Sequence, residues 1–307
     1  MRDEMAQRWG RFRLVDLLVF LGCLGVLFGL ALVAVQQMRQ FSSRFQCSFW
    51  LGQVGLALWS YQQTHGQFPP GYTSEHDANG NDTGPGWGWA VHALPYLDGD
   101  DLYRQIDLKQ PIEAPVNAGP RTARFKWYLC SSDTVPPEPF AVGPRGLDAQ
   151  LAATVCTVAP ANYIGNFGIG EPGVDGEGMF YRNSAVRLGD VIDGRDYTLL
   201  VGERSFRYAE ATWVGAVTGT HLGPTPGSPM PVQTVNASNF ILGHTGGAIE
   251  GPVRPLEGRH FSSNHSAGVH FAFVDGHVQF LGRRVDHAVF KALSTRAGGE
   301  ALLRDDF

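Results

Sequence analysis

The segment GRFRLVDLLVFLGCLGVLFGLALVAV, residues 10–35, decides the architecture of this protein, because it contains an apolar run of 22 residues from Leu14 to Val35. A helix of that length spans about 33 Å, slightly more than the roughly 30 Å hydrocarbon core of a bilayer. The run ends in Val35-Gln36-Gln37-Met38, not in the small-residue cleavage site of a secretory signal. The segment therefore predicts a retained transmembrane helix over residues 14–35.

Arginines flank this helix unequally. Those before it are Arg2, Arg8, Arg11 and Arg13, whereas those that follow it closely are Arg39 and Arg44. Because positive charge stays on the cytoplasmic side, residues 1–13 are expected to form a cytoplasmic basic leader. We therefore expect a single-pass protein of the inner (cytoplasmic) membrane, with everything after Val35 on the extracytoplasmic side, in the periplasm or at the cell surface.

One acid, Asp16, interrupts the apolar run near its cytoplasmic end. An ionisable group inside a span costs free energy, so it either has a partner and a function or reaches the headgroups beside Arg13. Gly25 and Gly29 form a pair of small residues four apart, a spacing that lets a second helix approach closely. These residues identify the span as a candidate surface for helix association.

The helical pattern continues beyond the membrane. Apolar residues recur mostly at three- and four-residue steps, which predicts that they share one face of an amphipathic half-helix over residues 36–65: Met38, Phe41, Phe45, Phe49, Val54, Leu58 and Tyr61. The sequence HGQFPPG, residues 65–71, then stops the helix. The amphipathic half needs a partner surface, which the remaining residues 66–307 should provide.

Residues 66–307 have the composition of a folded head domain. Hydrophobic residues make up 43% of the chain, and 39 glycines with 19 prolines indicate many turns. The segment at residues 87–106 has helical spacing with a break at Pro95, and short aromatic and β-branched runs predict strands at 124–130, 161–167, 197–203, 212–217, 268–276 and 277–282. We expect an α+β head with mostly antiparallel sheet. The net charge of −5 argues against nucleic acid as a partner.

Several sequence blocks resemble a known family. They are AVQQMRQFSSRFQCSFWLGQVGLALWSYQQTHGQFPPG, GWGWAVHALPYLDGDDLY, YLCSSD, ANYIGN, GMFYRNSAVRLGDVIDGRDYTLLVGERS, NHSAGVHFAFVDGHVQFL and STRAGGE. In this order they resemble the planctomycete-type pilin-like family of unknown function, whose members begin with a prepilin-type cleavage and methylation segment. His265, Asp275 and Gly276 match the His-x9-Asp-Gly signature of that family.

The resemblance gives Asp16 a role. In pilin-like proteins the fifth residue after cleavage is a Glu that pairs with the free amine of a neighbouring subunit, and Asp16 is fifth when Phe12 counts as first. Here Arg11 stands where the family has Gly, and Gly10 lies one place earlier. In an uncleaved chain the partner of Asp16 would be Arg13 or the Arg11 of a neighbour.

The resemblance also bears on the four cysteines. Cys23 lies in the span, whereas Cys47 and Cys130 fall in family blocks and would lie in an exported domain, where disulfides form. The blocks favour a Cys47–Cys130 disulfide, with a buried pair of free thiols as the alternative. Cys156 is left over.

Residues with catalytic or metal-binding chemistry are few. His265, His270, Asp275 and His277 cluster in sequence, but GVHFAFVDGHVQFLG reads as two strands joined by a type I′ Asp-Gly turn, which favours a structural hairpin over a metal site. The loop at Asp77 lacks the glycine and glutamate of an EF-hand, so a polar loop is favoured over a calcium site. Glu203 is expected to be a structural carboxylate paired with Arg204 or Arg207.

These observations favour a non-enzymatic protein with no cofactor, no metal and no catalytic residue. The resemblance implies a type IV pilin-like or pseudopilin-like protein of the cell surface or a secretion system. Its partners would be the membrane, further copies or other pilin-like subunits, and a prepilin peptidase. The alternative is a membrane-tethered solute-binding protein.

Overall fold

The computed structural model describes residues 14–146, 148, 150–223, 235–246, 260–265, 267–282, 284–303 and 307. The predicted processing residues Gly10, Arg11 and Phe12 lie outside the described residues, and so does the side chain of Asp16. The chain forms two compact units that divide between Phe45 and Gln46. Each unit contains part of the first helix.

Helix α1 (Leu14–His65) has 52 residues. It ends where the sequence predicts, because Gly66 adopts a positive φ of 74° and donates its N–H to the Gln62 carbonyl at 2.8 Å. From Leu17 to Arg39 every side chain is exposed. The most apolar 18 residues of this helix have a mean hydropathy of 2.8, and none is buried, so α1 is long and apolar enough to cross a membrane.

The face of α1 that packs in the second unit agrees with the predicted one only in part, because Val54 and Leu58 are buried as predicted and Phe49 is not. Buried residues follow a 4-3-4 spacing at Cys47, Leu51, Val54 and Leu58, whereas Phe49 is exposed, as are Met38, Phe41 and Phe45 in the first unit. The step from Phe49 to Val54 is five residues, which turns the helix by about 140° and moves the later residues to another face. The helix between Gln46 and His65 is therefore apolar on two faces, of which the protein covers one.

A five-stranded sheet forms the centre of the second unit. Its order is β11-β10-β6-β5-β9, and every neighbouring pair is antiparallel except β5 with β9. The strands are β5 (Tyr163–Gly168), β6 (Leu199–Glu203), β9 (Leu242–His244), β10 (Gly268–Phe273) and β11 (Val278–Gly282). The predicted α+β class with mostly antiparallel sheet is confirmed.

A helix packs against each face of this sheet. Side chains along β10 point alternately to the two faces, so neighbouring residues contact different helices. Ala272 faces α1, where a Cβ on Gly55 would lie 3.5 Å from the Ala272 Cβ. Phe271 faces helix α5 (His287–Ser294), and its ring lies 5.6 Å from that of Phe290. Asp286 caps α5 by accepting the Ala288 N–H at 2.7 Å. An alanine at position 55 would therefore make ordinary van der Waals contact with the sheet.

Three two-stranded sheets and several short helices surround the central sheet. The sheets are β1 (Tyr72–His76) with β2 (Asp82–Gly88), β3 (Phe140–Val142) with β4 (Cys156–Val158), and β7 (His221–Leu222) with β8 (Val235–Asn236). The short α-helices are α2 (Trp89–Ala93), α3 (Asp100–Tyr103) and α4 (Ala118–Arg121). The predicted strands at 124–130 and 212–217 are wrong: the first contains a 3-10 helix at Lys126–Tyr128, and the second forms isolated bridges at Thr212 and Gly215.

The β10–β11 turn also differs from the predicted type I′ turn. Gly276 has a positive φ of 94°, but Asp275 is not among the residues with positive φ. The Gly276 N–H donates to the Phe273 carbonyl at 3.0 Å, and the Phe273 N–H donates to the His277 carbonyl at 2.9 Å. These bonds define a three-residue hairpin loop in which Gly276 forms a β-bulge, so Asp275 does not adopt the left-handed conformation.

Candidate functional site

Glu203, His265 and His270 form a buried polar cluster at the end of β6, here called the Glu203 cluster. Glu203 Oε1 lies 3.4 Å from His265 Nε2 and 3.2 Å from His270 Nδ1. Glu203 Oε2 accepts the backbone N–H of His270 at 3.0 Å. The side chains of all three residues are at most 6% exposed. Both carboxylate oxygens are therefore held by the protein itself.

The predicted pairing of Glu203 with Arg204 or Arg207 is wrong. Arg204 instead donates to backbone carbonyls, including that of Leu242 at 3.1 Å. Adjacent side chains of an extended segment point to opposite faces of the sheet, which separates Glu203 from Arg204. The partners of Glu203 come from the segment that leads into β10 and from β10 itself.

The environment keeps Glu203 ionised. Burial would raise the pKa of this carboxyl group, but hydrogen bonds from His265 and His270 and the attraction of their charge outweigh it and lower the pKa to about 2. Tyr163, whose pKa burial and the Glu203 charge raise well above its usual value, donates its hydroxyl to the Cys47 carbonyl at 3.1 Å. The cluster thus lies directly beside helix α1.

A disulfide joins Cys47 of α1 to Cys130, the pair that the family resemblance favours. Their Cα atoms are 5.2 Å apart. Cys130 Sγ lies 3.7 Å from His265 Nε2, so the disulfide borders the Glu203 cluster. The other described cysteines are free, Cys23 exposed and Cys156 buried.

Asp133 anchors the loop that carries Cys130. Its carboxylate accepts hydrogen bonds from the Ser205 hydroxyl at 2.8 Å, the Phe206 N–H at 2.7 Å and the Asn162 amide at 2.6 Å. Asn162 in turn accepts the Cys130 N–H at 2.9 Å. Burial raises the pKa of Asp133 despite these donors. The loop is consequently fixed to both β5 and β6.

Blocks that are far apart in sequence therefore meet at one place. YLCSSD contributes Cys130 and Asp133, ANYIGN contributes Asn162, LLVGERS contributes Glu203 and Ser205, and NHSAGVH contributes His265 and His270. Sequence reasoning identified His265 and the cysteines but missed the roles of Asp133 and Asn162. Their signal was present, because each is a polar residue inside a block that is otherwise apolar or small.

The residues of the His265…Asp275-Gly276 signature lie in two separate parts of the structure. His265 belongs to the Glu203 cluster, whereas Asp275 accepts from His277 Nδ1 at 2.6 Å and from the His277 N–H at 3.0 Å in the hairpin loop. The structure does not bring His265, His270, Asp275 and His277 together. Within the described ranges, Cys47, Cys130, Glu203 and His265 each place one candidate ligand atom within 4.8 Å of the others, with the two sulfurs bonded to each other.

The Asp77 loop is closed by its own hydrogen bonds. The Asp77 carboxylate accepts from the backbone N–H groups of Asn79 at 2.8 Å and Asn81 at 2.9 Å, and from the Asn81 amide at 3.0 Å. These bonds, above all those from Asn81, lower the pKa of Asp77. The carboxylate is occupied by the turn, as expected of a polar loop.

A separate cavity of about 370 Å³ lies where β1 and β2 meet β7 and β8. An ion pair of Arg182 and Asp82 lines one side of the cavity, with Arg182 Nη1 2.8 Å from Asp82 Oδ1. Tyr72 donates its hydroxyl to the same carboxylate at 3.0 Å. His221 also lines the cavity, and among the described residues its Nδ1 has no hydrogen-bond partner. The cavity therefore offers one charged pair and one polar ring nitrogen.

The candidate association residues of the span are uncovered. A Cβ added at Gly25 or Gly29 would meet no heavy atom within 4 Å. The large neighbouring side chains are exposed as well, Leu24 at 47% and Phe28 at 67%. No described part of the protein covers this helical surface.

The comparisons with known proteins give one match. A family model described as "Protein of unknown function (DUF1559)" matches residues 36–288, which is more than half of the chain. Searches of curated proteins and of solved structures found no match to it.

Proposed function

This chain belongs to the DUF1559 family, and from that premise we propose that it is a non-enzymatic, pilin-like membrane protein that assembles through helix α1. The observation that carries this proposal is the apolar surface of α1 that no described residue covers. In the first unit it includes Phe41 at 73% exposure and Phe45 at 68%, and in the second Phe49 at 51%. Contiguous exposed apolar surface of this kind is typical of protein or membrane contacts.

The exposed apolar surface of α1 lies in two environments, one inside the membrane and one outside it. Lipid covers the segment from Leu14 to Val35, which has the length of a bilayer core. Phe41 and Phe45 follow it in the first unit, four residues apart, and so share one helical face outside the membrane, where lipid is absent; Phe49 is exposed in the second unit. Helices of neighbouring copies or of other pilin-like subunits would cover that face.

The orientation and the role of Asp16 belong to the same proposal. The arginine excess before Leu14 places the leader in the cytoplasm and the head outside. Asp16 then compensates a positive group of a neighbouring subunit, either the new N-terminal amine after cleavage by a prepilin peptidase or, in an uncleaved chain, Arg11 or Arg13.

A non-enzymatic role is supported by the Glu203 cluster. A general acid or base must reach a substrate proton, yet both oxygens of Glu203 are engaged and its side chain is 2% exposed. Its neighbours Cys47 and Tyr163 join α1 to the sheet. We assign these residues to holding α1 in place.

Crosslinking of full-length subunits in native membranes tests the assembly. Replacing Asp16 by Ala removes a buried carboxylate, so membrane insertion should be unharmed while subunit crosslinking falls roughly three- to thirtyfold, the effect of about 0.6 to 2 kcal/mol per helix contact. The pair Asp16→Lys with Arg13→Glu should restore part of the crosslinking that Asp16→Lys alone removes. Unchanged crosslinking in Asp16→Ala would mean that Asp16 only reaches the headgroups.

The cavity at Arg182 favours a second candidate function, a membrane-tethered solute-binding protein. Its volume of about 370 Å³ lies within the range of ligand pockets. A bound solute should raise the unfolding temperature of the purified chain, and Arg182→Met should abolish that shift. A panel of amino acids, sugars and small carboxylates that shifts neither protein would exclude these solutes.

A further inference from the structure

The disulfide and the Glu203 cluster together place two sulfur atoms, one imidazole and one carboxylate in a small buried volume. The candidate ligand atoms of Cys47, Cys130, Glu203 and His265 all lie within 4.8 Å of one another. These four residues are buried, at 0%, 6%, 1% and 5% exposure. Two sulfurs, one nitrogen and one oxygen form a ligand set of the kind that binds zinc in four-coordinate sites.

The observed separations fit such a site. Tetrahedral zinc with Zn–N of about 2.05 Å and Zn–O of about 2.1 Å holds the nitrogen and oxygen about 3.4 Å apart, and with Zn–S of about 2.3 Å it holds sulfur and nitrogen about 3.6 Å apart. His265 Nε2 lies 3.4 Å from Glu203 Oε1 and 3.7 Å from Cys130 Sγ. The separations of His265 Nε2 from the Glu203 oxygen and from the Cys130 sulfur thus already match those that zinc requires.

The two sulfur ligands become available when the Cys47–Cys130 disulfide opens. Two thiolates on one zinc ion lie about 3.8 Å apart, close to the contact distance of two sulfurs that are no longer bonded. We propose that the reduced protein binds one zinc ion through Cys47, Cys130, His265 and Glu203. The disulfide and the zinc ion are then alternative links between helix α1 and the sheet.

The reaction balances with a dithiol as the reductant. The dithiol supplies two electrons and two protons, the Cys47–Cys130 bond breaks to give two thiols, and the dithiol becomes a cyclic disulfide. Zn²⁺ then displaces one proton from each thiol and the proton that His265 Nε2 donates to Glu203, and it binds the two thiolates, the imidazole nitrogen and the carboxylate.

Groups around the ligands hold them in place. His270 donates its backbone N–H to Glu203 Oε2 at 3.0 Å, and its ring Nδ1 lies 3.2 Å from Oε1, the oxygen that also faces His265 and would coordinate zinc through a further lone pair. Asn162 accepts the Cys130 N–H, and Ser263 Oγ accepts the His265 N–H at 3.2 Å. Such outer contacts orient the ligands of protein zinc sites. Here they are present in the disulfide-linked protein.

Zinc uptake by the full-length protein in detergent tests the proposal. The protein is reduced with dithiothreitol without oxygen, freed of the reductant, given Zn²⁺ and passed through gel filtration before metal analysis. The reduced chain should retain about one zinc ion and the oxidised chain none. Cys156→Ser, which removes a buried cysteine outside the site, should behave as wild type, whereas Cys130→Ser should lose the zinc.

Two further measurements identify the other ligands and control for folding. His265→Gln and Glu203→Gln should lower zinc affinity at least tenfold, and Co²⁺ in the wild-type site should give the intense visible absorption of tetrahedral thiolate coordination, which Cys130→Ser lacks. Equal zinc uptake by the oxidised chain, or by Cys130→Ser, would overturn the proposal. If reduction unfolds the chain, Zn²⁺ should restore its circular dichroism and tryptophan emission, and failure to restore them would overturn it too.

Discussion

The two parts of helix α1 are both apolar, but the protein covers them differently. From Leu17 to Arg39 every side chain is exposed, whereas after Gln46 one face is buried by the sheet and sealed by the Cys47–Cys130 disulfide. Apolar composition alone therefore does not say what a helix packs against. The uncovered part requires lipid or other subunits, and the covered part obtains its stability from the head.

The largest expected difference between these parts concerns their cysteines. The Cys47–Cys130 link closes a loop with a sequence separation of 83, so Cys47→Ser in the oxidised chain should lower the free energy of unfolding by about 4 kcal/mol. Cys23→Ser, in the uncovered part, should change it by less than about 0.5 kcal/mol. Urea unfolding in detergent, followed by tryptophan fluorescence, measures both. Equal unfolding midpoints for the two variants would contradict the assignment of Cys47 to the covered part of α1 and Cys23 to the uncovered part.

Two leucines within a single turn of the covered part of α1 allow the buried and exposed faces of the helix to be compared. Leu58 is 0% exposed and Leu56 is 59% exposed. Leu58→Ala removes a buried side chain and should cost about 2 to 5 kcal/mol, whereas Leu56→Ala should cost less than about 0.5 kcal/mol. Thermal and urea unfolding of the two variants give the values. A large cost for Leu56→Ala in the monomer would contradict the assigned buried face.

Acid should lower the stability of the head but not that of the uncovered part of α1. Burial, with a contribution from the Arg204 charge, lowers the pKa of His244 to about 4, so the folded protein holds a neutral imidazole. The stabilisation is fully present above the unfolded pKa of about 6.5 and is lost as the pH falls toward about 4, by up to about 3 kcal/mol. Residues 17–38 contain no Asp, Glu, His, Lys or Arg, so their helix should persist.

Tryptophan emission for the head and far-ultraviolet circular dichroism for the helix follow this titration, since residues 17–38 contain no tryptophan. His244→Phe, which removes one titrating ring, is the matched variant and should reduce the decline of stability between pH 6.5 and 4; the remaining part comes from His92, whose pKa burial also lowers to about 4. A decline of the same size in His244→Phe would assign the acid sensitivity to other groups.

The smallest expected effect concerns the glycines of the span. Gly25→Leu should lower subunit crosslinking in membranes roughly threefold, the loss of about 0.6 kcal/mol, because a large side chain keeps the neighbouring helix away. Ala31 lies on the opposite side of the helix at about 100° per residue, so Ala31→Leu is the matched control and should leave crosslinking unchanged. A greater loss in Ala31→Leu would place the contact on the other face.

Local signals were sufficient for much of this fold. The apolar run from Leu14, the stop at Gly66, the strand-forming residue types of β6 and the alternation along β10 each depend on neighbouring residues, and the structure follows them. The strand predicted at 124–130 failed because tertiary contacts, such as the Tyr128 hydroxyl bonded to the Ala90 carbonyl at 2.7 Å, override local propensity.

The candidate site was predictable only in part, because its residues come from distant segments. His265 and Cys130 are 135 positions apart, and Glu203 finds its partners in another strand, so no spacing in the sequence reveals the pairing. The buried face of α1 was predicted correctly only at Val54 and Leu58, because the five-residue step from Phe49 to Val54 changes the face, although each residue is apolar. Family blocks, by contrast, did indicate Cys47 and Cys130.

The central claim, that the uncovered face of α1 joins subunits, is tested most directly by disulfide crosslinking at Phe45. The protein carries Phe45→Cys in a Cys23→Ser background, and Val174→Cys, 52% exposed in the head before substitution, is the control position. After mild oxidation of native membranes we predict a disulfide-linked dimer for Phe45→Cys, at a yield several times that of Val174→Cys. Equal yields at the two positions, or no dimer at Phe45→Cys, would contradict assembly through this helix.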